Sequence, residues 1–310
     1  MNLFGKSLRP GWLCLNLHPD RVDLSHVLVE GKPRPEVLLC ESFRKEGDDL
    51  GTLKRLRREL KLDRYRCMTT LKTRDYQMFP VDAPNVPEAE ARSAVRWAIK
   101  DMLDYSVDAA TVDAVRVPAS DGAGRSAQML AVSARNDLIA ATVKPFNDAD
   151  IELSAIDIPE LAQRNVAKHL EEEGRGLALL CFDQAAATLT FTSGGELYQS
   201  RRIDVSLTDF AGDAPAESLH DRIALELQRS LDHFDRQFRN VAVSRVVISQ
   251  VPGGEQLAEY LNSNLTLPVE MFDLEKIMDF PGVPELRDPI RQTQCLQLIG
   301  AAMRDEAVAA

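Results

Sequence analysis

The chain has 310 residues, 45% of them hydrophobic and 27% charged, and its 37 basic and 48 acidic side chains leave a formal net charge of −11. That length suits roughly two domains of ~150 residues. That charge argues against a nucleic-acid partner, whose phosphates such a field repels, and disfavours unassisted docking on anionic lipid. Five cysteines, Cys14, Cys40, Cys67, Cys181 and Cys295, are scattered among apolar neighbours without CxxC or Cys/His spacing. They read as buried thiols in a reducing cytosol, not as a zinc site. The opening MNLFGKSLRPGWLCLNL lacks the apolar stretch of a signal peptide, and no run approaches the ~18 apolar residues of a membrane span. The expectation is a cytoplasmic protein whose membrane link comes through a partner.

Residues 12–17, 21–30 and 35–43 alternate apolar and polar side chains and predict three strands, with His18-Pro19-Asp20 as the first turn. Leu50, Leu53, Leu56 and Leu60 stand at helical spacing and predict a helix over 49–62; short strands follow at 66–71 and 75–80. Lys54, Arg55, Arg57, Arg58, Lys61, Arg64 and Arg66 form a basic cluster there. It reads as a solvated helix face or as a contact with an acidic partner or membrane surface. The next helix starts at Pro87, with Glu88 and Glu90 at its positive end and a stripe of Ala91, Val95, Ala98 or Ile99, and Met102. Strands at 111–117 and 126–134 flank the Gly/Ser/Asp loop 119–124, and a helix over 136–149 and a strand near 152–156 follow. Residues ~80–152 are thus a compact α+β insertion.

A helix over 159–173 ends in Glu171-Glu172-Glu173-Gly174, which predicts a boundary between a first domain at 1–174 and a second at 175–310. The acidic run reads as a solvated face. Strands at 177–183, 187–193 and 196–203 come next, with a Ser193-Gly194-Gly195 turn, then a long helix over 216–240. A strand at 244–250, a helix at 255–264, a strand at 268–272 and a helix at 290–304 complete the chain. Both halves run strands, helix, strand, helix. That echo predicts an α/β, actin-like two-domain fold of the Hsp70/FtsA type, built from duplicated ribonuclease-H-like halves.

Several tracts, in order, resemble one family. ELQRSLDHF, from Glu226 to Phe234, is similar to the EIxRSLxFF signature of the PilM family of type IV pilus assembly proteins. LFGKSLRPGWLCLNLHPDRVDLSHVL resembles that family's opening, FPVDAPNVPEAEARSAVRWAIKDMLDY its next block, and LLCFDQAAATLTFTSGGELYQSRRI its second strand cluster. VVISQVPGGEQLAEYLNSNLTLPVEMFD is similar to its closing block. The resemblance spans nearly the whole chain, and among relatives it is nearest the MshI branch of mannose-sensitive (MSHA-type) pilus systems. It implies a cytoplasmic actin-like protein, peripheral at the inner membrane. The implied partners are the cytoplasmic N-terminal tail of a PilN-like, single-span membrane protein and other pilus assembly proteins. The tail would lie in a groove between the first subdomain and the insertion at ~80–152, with Trp97 and Tyr105 as candidate contacts. The competing reading makes Trp97 a core residue of its helix.

The resemblance also locates a nucleotide site that departs from the family. Phosphate turns need Gly for close backbone approach, and Asp to hold hydrated Mg²⁺. The family's Asp-Ile-Gly-Ser-Ser-Ser-Val-Lys aligns with 16–23, which puts Asn16 at the metal-side Asp, His18 at the Gly and Asp23 at the Lys. Pro19 removes a donor and Asp20 opposes phosphate. The second turn keeps Asp183 and Thr188 but has Ala185 for Gly; the adenosine turn keeps Gly253 and Gly254 with shifted spacing; Asp157 is retained in the connecting motif. No cofactor is expected, with ATP and magnesium the disfavoured alternative. No catalytic or metal residue is assigned, because His18, His26, His169, His220 and His233 show no pairing and no GxSxG, GxxxxGK[ST] or HExxH motif occurs.

Three other functions compete with the scaffold. An ATP-dependent switch would need His18 and Ala185 to be tolerated, and a small-molecule kinase would need a catalytic Asp in an intact phosphate site. A type II secretion L protein would continue into a membrane span, which this sequence does not contain.

Overall fold

The computed structural model describes residues 8–118, 127–212 and 216–305, so the LFGK opening and the 119–124 loop lie outside the described residues. The first half opens with an antiparallel meander of β1 (Trp12–Leu17), β2 (Arg21–Leu28) and β3 (Glu36–Arg44). Helix α1 (Asp49–Leu60) is capped by the Asp48 carboxylate, which accepts from Gly51 N–H at 2.8 Å, and ends where Lys61 turns left-handed. It returns the chain to β4 (Arg66–Thr70), parallel to β1, and β8 (Leu153–Asp157) lies parallel to β4. Between β4 and β8 come β5 (Gln77–Asp82), α2 (Glu88–Ala98), β6 (Ala110–Val117), β7 (Gln128–Arg135) and α3 (Asn136–Asp148). Their strands form a separate antiparallel sheet, β5-β7-β6.

After α4 (Pro159–Ala167) the pattern repeats. Strands β9 (Gly176–Phe182), β10 (Ala187–Ser193) and β11 (Glu196–Ile203) form a second meander. Helix α5 (Ala216–Gln237), β12 (Val243–Ile248), α6 (Gly254–Asn264), β13 (Val269–Met271) and α7 (Pro289–Ala302) follow. The first sheet has the order β3-β2-β1-β4-β8 and the second β11-β10-β9-β12-β13, with the same pattern of parallel and antiparallel pairs. This duplicated topology is the actin-like fold.

Strand periodicity explains the layers. In β9 every residue is buried, as expected of a central strand covered on both faces. Ala178, Leu180 and Phe182 face α5 and α6, while Leu177, Leu179 and Cys181 face the opposite way. In β1, Leu13 and Leu15 face α1, and Trp12 and Cys14 point away from it. The two inward faces share one core with α4 and α7, through Ala162, Val166, Leu296 and Ile299. The C-terminal helix thus packs against α4 and the first sheet. Helices α4 and α7 touch at Gly300, whose carbonyl accepts from Asn165 Nδ2 at 2.9 Å. A Cβ there would press on the Ala162 carbonyl oxygen and stand 3.0 Å from Val166 Cγ2.

Four local expectations are corrected. The helix expected to 173 stops at Ala167, and Arg245 holds the turn beyond it: its Nη2 donates to Leu170 O at 2.6 Å. The acidic run is correspondingly engaged, not simply solvated: Glu172 pairs with Arg245, and Glu171 accepts from Gly195 N–H at 2.9 Å. On α2, Ala91, Val95 and Ile99 are buried as the stripe requires, but Met102 is exposed. The helix tightens into a 3₁₀ turn at Lys100–Met102, and three residues per turn carry Met102 off the stripe. Trp97 sits off that face too, 60% exposed, so it is not core.

Candidate functional site

Of the tracts that carry the family resemblance, the first turn at 16–23 and the second at 183–188 meet at the gap between the two halves, while the α5 signature lies elsewhere. The signature residues of α5 act first as structure: Leu227, Leu231 and Phe234 are buried, and Phe234 stacks on Phe191 with centroids 4.5 Å apart. Glu226 ties the helix to β11 through Arg201 at 3.0 Å and pairs with Arg229 at 3.1 Å.

The gap itself holds a cavity of about 150 Å³, bounded by Asn16, His18 and Asp23, by Asp183 and Gln184, and by Thr293, Gln297 and Leu298 among others of α7. Asn16 lies one residue before the end of β1. Its side-chain oxygen accepts from Thr70 N–H at 3.1 Å, Thr70 Oγ1 at 3.0 Å and Thr69 Oγ1 at 3.3 Å, so it serves to pin β1 to β4. The β1–β2 turn is closed by His18 N–H donating to Arg21 O at 2.9 Å. His18 Nε2 lies 3.0 Å from Asp23 Oδ2, and Arg21 Nε lies 3.0 and 3.1 Å from the two Asp23 oxygens. Burial alone would raise the Asp23 carboxyl; the hydrogen bonds from His18 and Ser42, with His18's charge and Arg21, outweigh it and hold it at about 2.

The second turn satisfies itself. Asp183 Oδ1 accepts from Ala185 N–H at 2.6 Å and Ala186 N–H at 2.9 Å, and Asp183 N–H donates to Ala186 O at 2.9 Å. These are the backbone donors that a phosphate would use at such a turn. Thr188 is buried within β10, and its hydroxyl has no hydrogen-bond partner there. Gly253, at φ 70, is the N-cap of α6, and Gly254 packs on Met271. Neither glycine lines the cavity, which does bring Asn16, His18 and Asp183 together. The adenosine-type turn is instead bound into the fold: Ser249 Oγ accepts from Phe182 N–H at 3.1 Å, and Gln250 O accepts from Thr293 Oγ1 at 2.9 Å.

Partners of the retained acidic residue escaped the sequence reading. Asp157 is buried and pairs with Arg304 at 3.0 Å, just past the end of α7. Burial pushes its carboxyl up against the pull of Arg304. Beside it, buried Glu160 accepts from the Tyr76 hydroxyl; burial pushes this carboxyl up as well, and the Tyr76 bond opposes that. A helix-opening Pro159-Glu160 signals only a helix start, so nothing in sequence order announces either pair.

A second cleft, of about 260 Å³, opens between the first sheet and α3. Leu17, Leu71, Leu138, Ala141 and Pro145 give it apolar walls, and Asp49, Lys72 and Asp75 add charge. Leu138, Ala141, Thr142 and Pro145 share one face of α3 at helical spacing. Trp97 and Tyr105 do not line it: Lys100 Nζ stands 5.9 Å from the Trp97 ring, and the Tyr105 hydroxyl bonds Ser133 Oγ at 2.9 Å. Among the described residues, no cluster of His, Cys, Asp or Glu could hold a metal, and no helix is long and apolar enough to cross a membrane. All five cysteines are buried and free.

No protein-family model matches the sequence, and no curated protein matches it. Among solved structures, the chain is similar to one described as a PilM-PilN type IV pilus biogenesis complex, at 18% identity and TM-score 0.72, over 96% of this chain and 98% of that one. A Bacteroides thetaiotaomicron protein with an actin-like ATPase fold and unknown function matches at 10% identity and TM-score 0.49, over 88% and 94% of the two chains. The cytoplasmic domain of EpsL, an inner-membrane component of the Vibrio cholerae type II secretion system, matches at 12% and 0.48, over 95% of each. At 18% identity the likeness to the PilM-PilN structure, over nearly the whole of both chains, establishes the fold alone, and the duplicated sheets make it an actin-like one.

Proposed function

We propose that the chain is a cytoplasmic, actin-like scaffold of a type IV pilus assembly platform, of the MSHA kind, held at the inner membrane by a PilN-type partner. The extended cytoplasmic tail of that partner would occupy the cleft between the first sheet and α3. Support comes from the end-to-end fold likeness to a chain solved with PilN, and from an apolar-walled cleft with charged residues where an extended peptide can bury alternate side chains. The gap between the halves is proposed to be a structural remnant without ATPase activity. The observation that carries this is the commitment of the Ala185 and Ala186 N–H groups to the Asp183 carboxylate.

The test is capture of tail peptides from PilN-type membrane proteins, with Ala141→Arg as the blocking variant. Ala141 is exposed and lines the cleft, so the variant should fold. A more than tenfold loss of peptide affinity with unchanged melting is the expected result. No capture of any such peptide by the unaltered chain at low salt would overturn the reading.

A further inference from the structure

The basic cluster on α1 is not used by either cleft. Residues 49–66 carry seven basic and three acidic side chains in a chain whose net charge is −11. Helix α1 buries Leu53 and Leu56 inward, Lys54 and Arg58 then fall at i and i+4 on its exposed side, and Lys61, the left-handed residue that ends the helix, is exposed just beyond them. Arg64, in the short turn that follows, is exposed as well. The neighbouring cations are engaged within the fold: Arg55 pairs with Glu46 at 3.3 Å, and Arg57 Nε donates to Asp150 O at 2.9 Å. Of the acidic residues, Asp49 is paired with Lys45, while Glu59 is exposed among the cations.

An apolar residue borders this stripe. Arg9 N–H donates to Arg64 O at 2.7 Å, and the Arg9 guanidinium lies 5.0 Å from the Tyr65 ring centre. That contact brings Leu8, 47% exposed, beside Arg64. An exposed row of cations with one exposed leucine beside it offers an anionic lipid surface both headgroup pairing and an apolar contact.

From this we infer that the exposed face of α1, with Arg9, Arg64 and Leu8, seats on the anionic headgroups of a phospholipid bilayer. The stripe also lies close to the proposed peptide cleft, since Asp49 of α1 lines that cleft and Arg57 joins α1 to Asp150, two residues beyond α3. A tail leading from that cleft into a membrane would turn this face toward the lipid; the choice of lipid over acidic protein rests on the docking reading to that extent. The overall negative charge does not forbid the contact, because the Debye length is ~10 Å at 0.1 M salt and only nearby charges act. Attraction of a few cations is weak alone, and tethering by a partner multiplies it.

The experiment is co-sedimentation of the full chain with vesicles of phosphatidylethanolamine containing a third phosphatidylglycerol, against vesicles of phosphatidylcholine alone, at low and high salt. The expected result is salt-sensitive binding to the anionic vesicles only. The variant Lys54→Glu/Arg58→Glu/Lys61→Glu should weaken it by about tenfold or more. The equal charge change Arg175→Glu/Arg202→Glu/Arg239→Glu, on exposed residues of the second half, should leave it within twofold. Circular dichroism confirms that both variants fold. Equal loss in both variants, binding to phosphatidylcholine, or no binding of the unaltered chain at low salt overturns the inference. So does stripe-dependent capture of polyglutamate by a chain that ignores the vesicles. Peptide capture measured without vesicles separates the two readings: peptide bound and vesicles ignored defeats only this inference, and the converse defeats only the docking reading.

Discussion

Replacing Gly300 with alanine sets two physical effects against each other. Gly300 lies inside α7, where alanine is favoured over glycine by about 1 kcal/mol on helix propensity alone. The structure opposes that gain. The new methyl would press on the Ala162 carbonyl oxygen, 2.8 Å from its carbon and 3.0 Å from Val166 Cγ2. The obstacle is α4 backbone, which cannot rotate away, so the upper end of the overpacking range applies, about 3 kcal/mol. The net expectation is a loss of about 2 kcal/mol. With an unfolding entropy of about 2.1 cal/mol/K per residue, the 310-residue chain should melt about 3 °C lower. Gly282→Ala is the control: no atom lies within 4 Å of its Cβ, and a modest gain of about 0.4–1 kcal/mol is expected. Calorimetry and fluorescence of Trp12, which shares the α4–α7 core, give the readout. A raised melting temperature for Gly300→Ala would refute the claim that the α4–α7 contact is too close for a side chain.

Asn16→Asp restores the acidic residue of an actin-like phosphate turn and should fold, because a carboxylate can accept the same Thr69 and Thr70 donors. It should still give no heat with Mg-ATP in titration calorimetry, since Asp183 continues to occupy the second turn; micromolar binding would revive the switch reading. Asp23→Asn should lower stability by about 1 kcal/mol at pH 7, after discounting the shift for partial solvation. The native carboxyl, at about 2, is below its unfolded value of ~3.9, so its contribution is present above pH ~4 and fades as pH falls toward 2. Urea unfolding of both proteins across that window should show the curves converging; a constant gap would count against the ion cluster. The chain has two tryptophans, Trp12 at 1% and Trp97 at 60% exposure. Trp97→Phe should therefore abolish most acrylamide-quenchable native fluorescence and leave stability within about 0.5 kcal/mol, and persistent quenching would refute the exposure.

Periodicity in the amino-acid sequence marked nearly every element, and the echo between the halves at 1–174 and 175–310 pointed to the duplicated topology. Both signals are local: alternate residues face opposite sides of a strand, and every third or fourth residue shares a helix face. Even on α2 the buried side at Ala91, Val95 and Ile99 was legible. Exposure of Trp97 and Met102 was not, because it depends on where the helix gives way to a tighter turn and on what covers the other face. The positions of Asn16, His18, Asp183 and Ala185 could be picked out by resemblance, yet their hydrogen bonds could not. Only tertiary structure decided that Asp183 closes its own turn, that Asn16 holds Thr70, and that Arg304 reaches back to Asp157 across 147 residues. Such bonds are set by which strand ends and helix ends the folded sheets bring together, and separation along the chain carries no record of that.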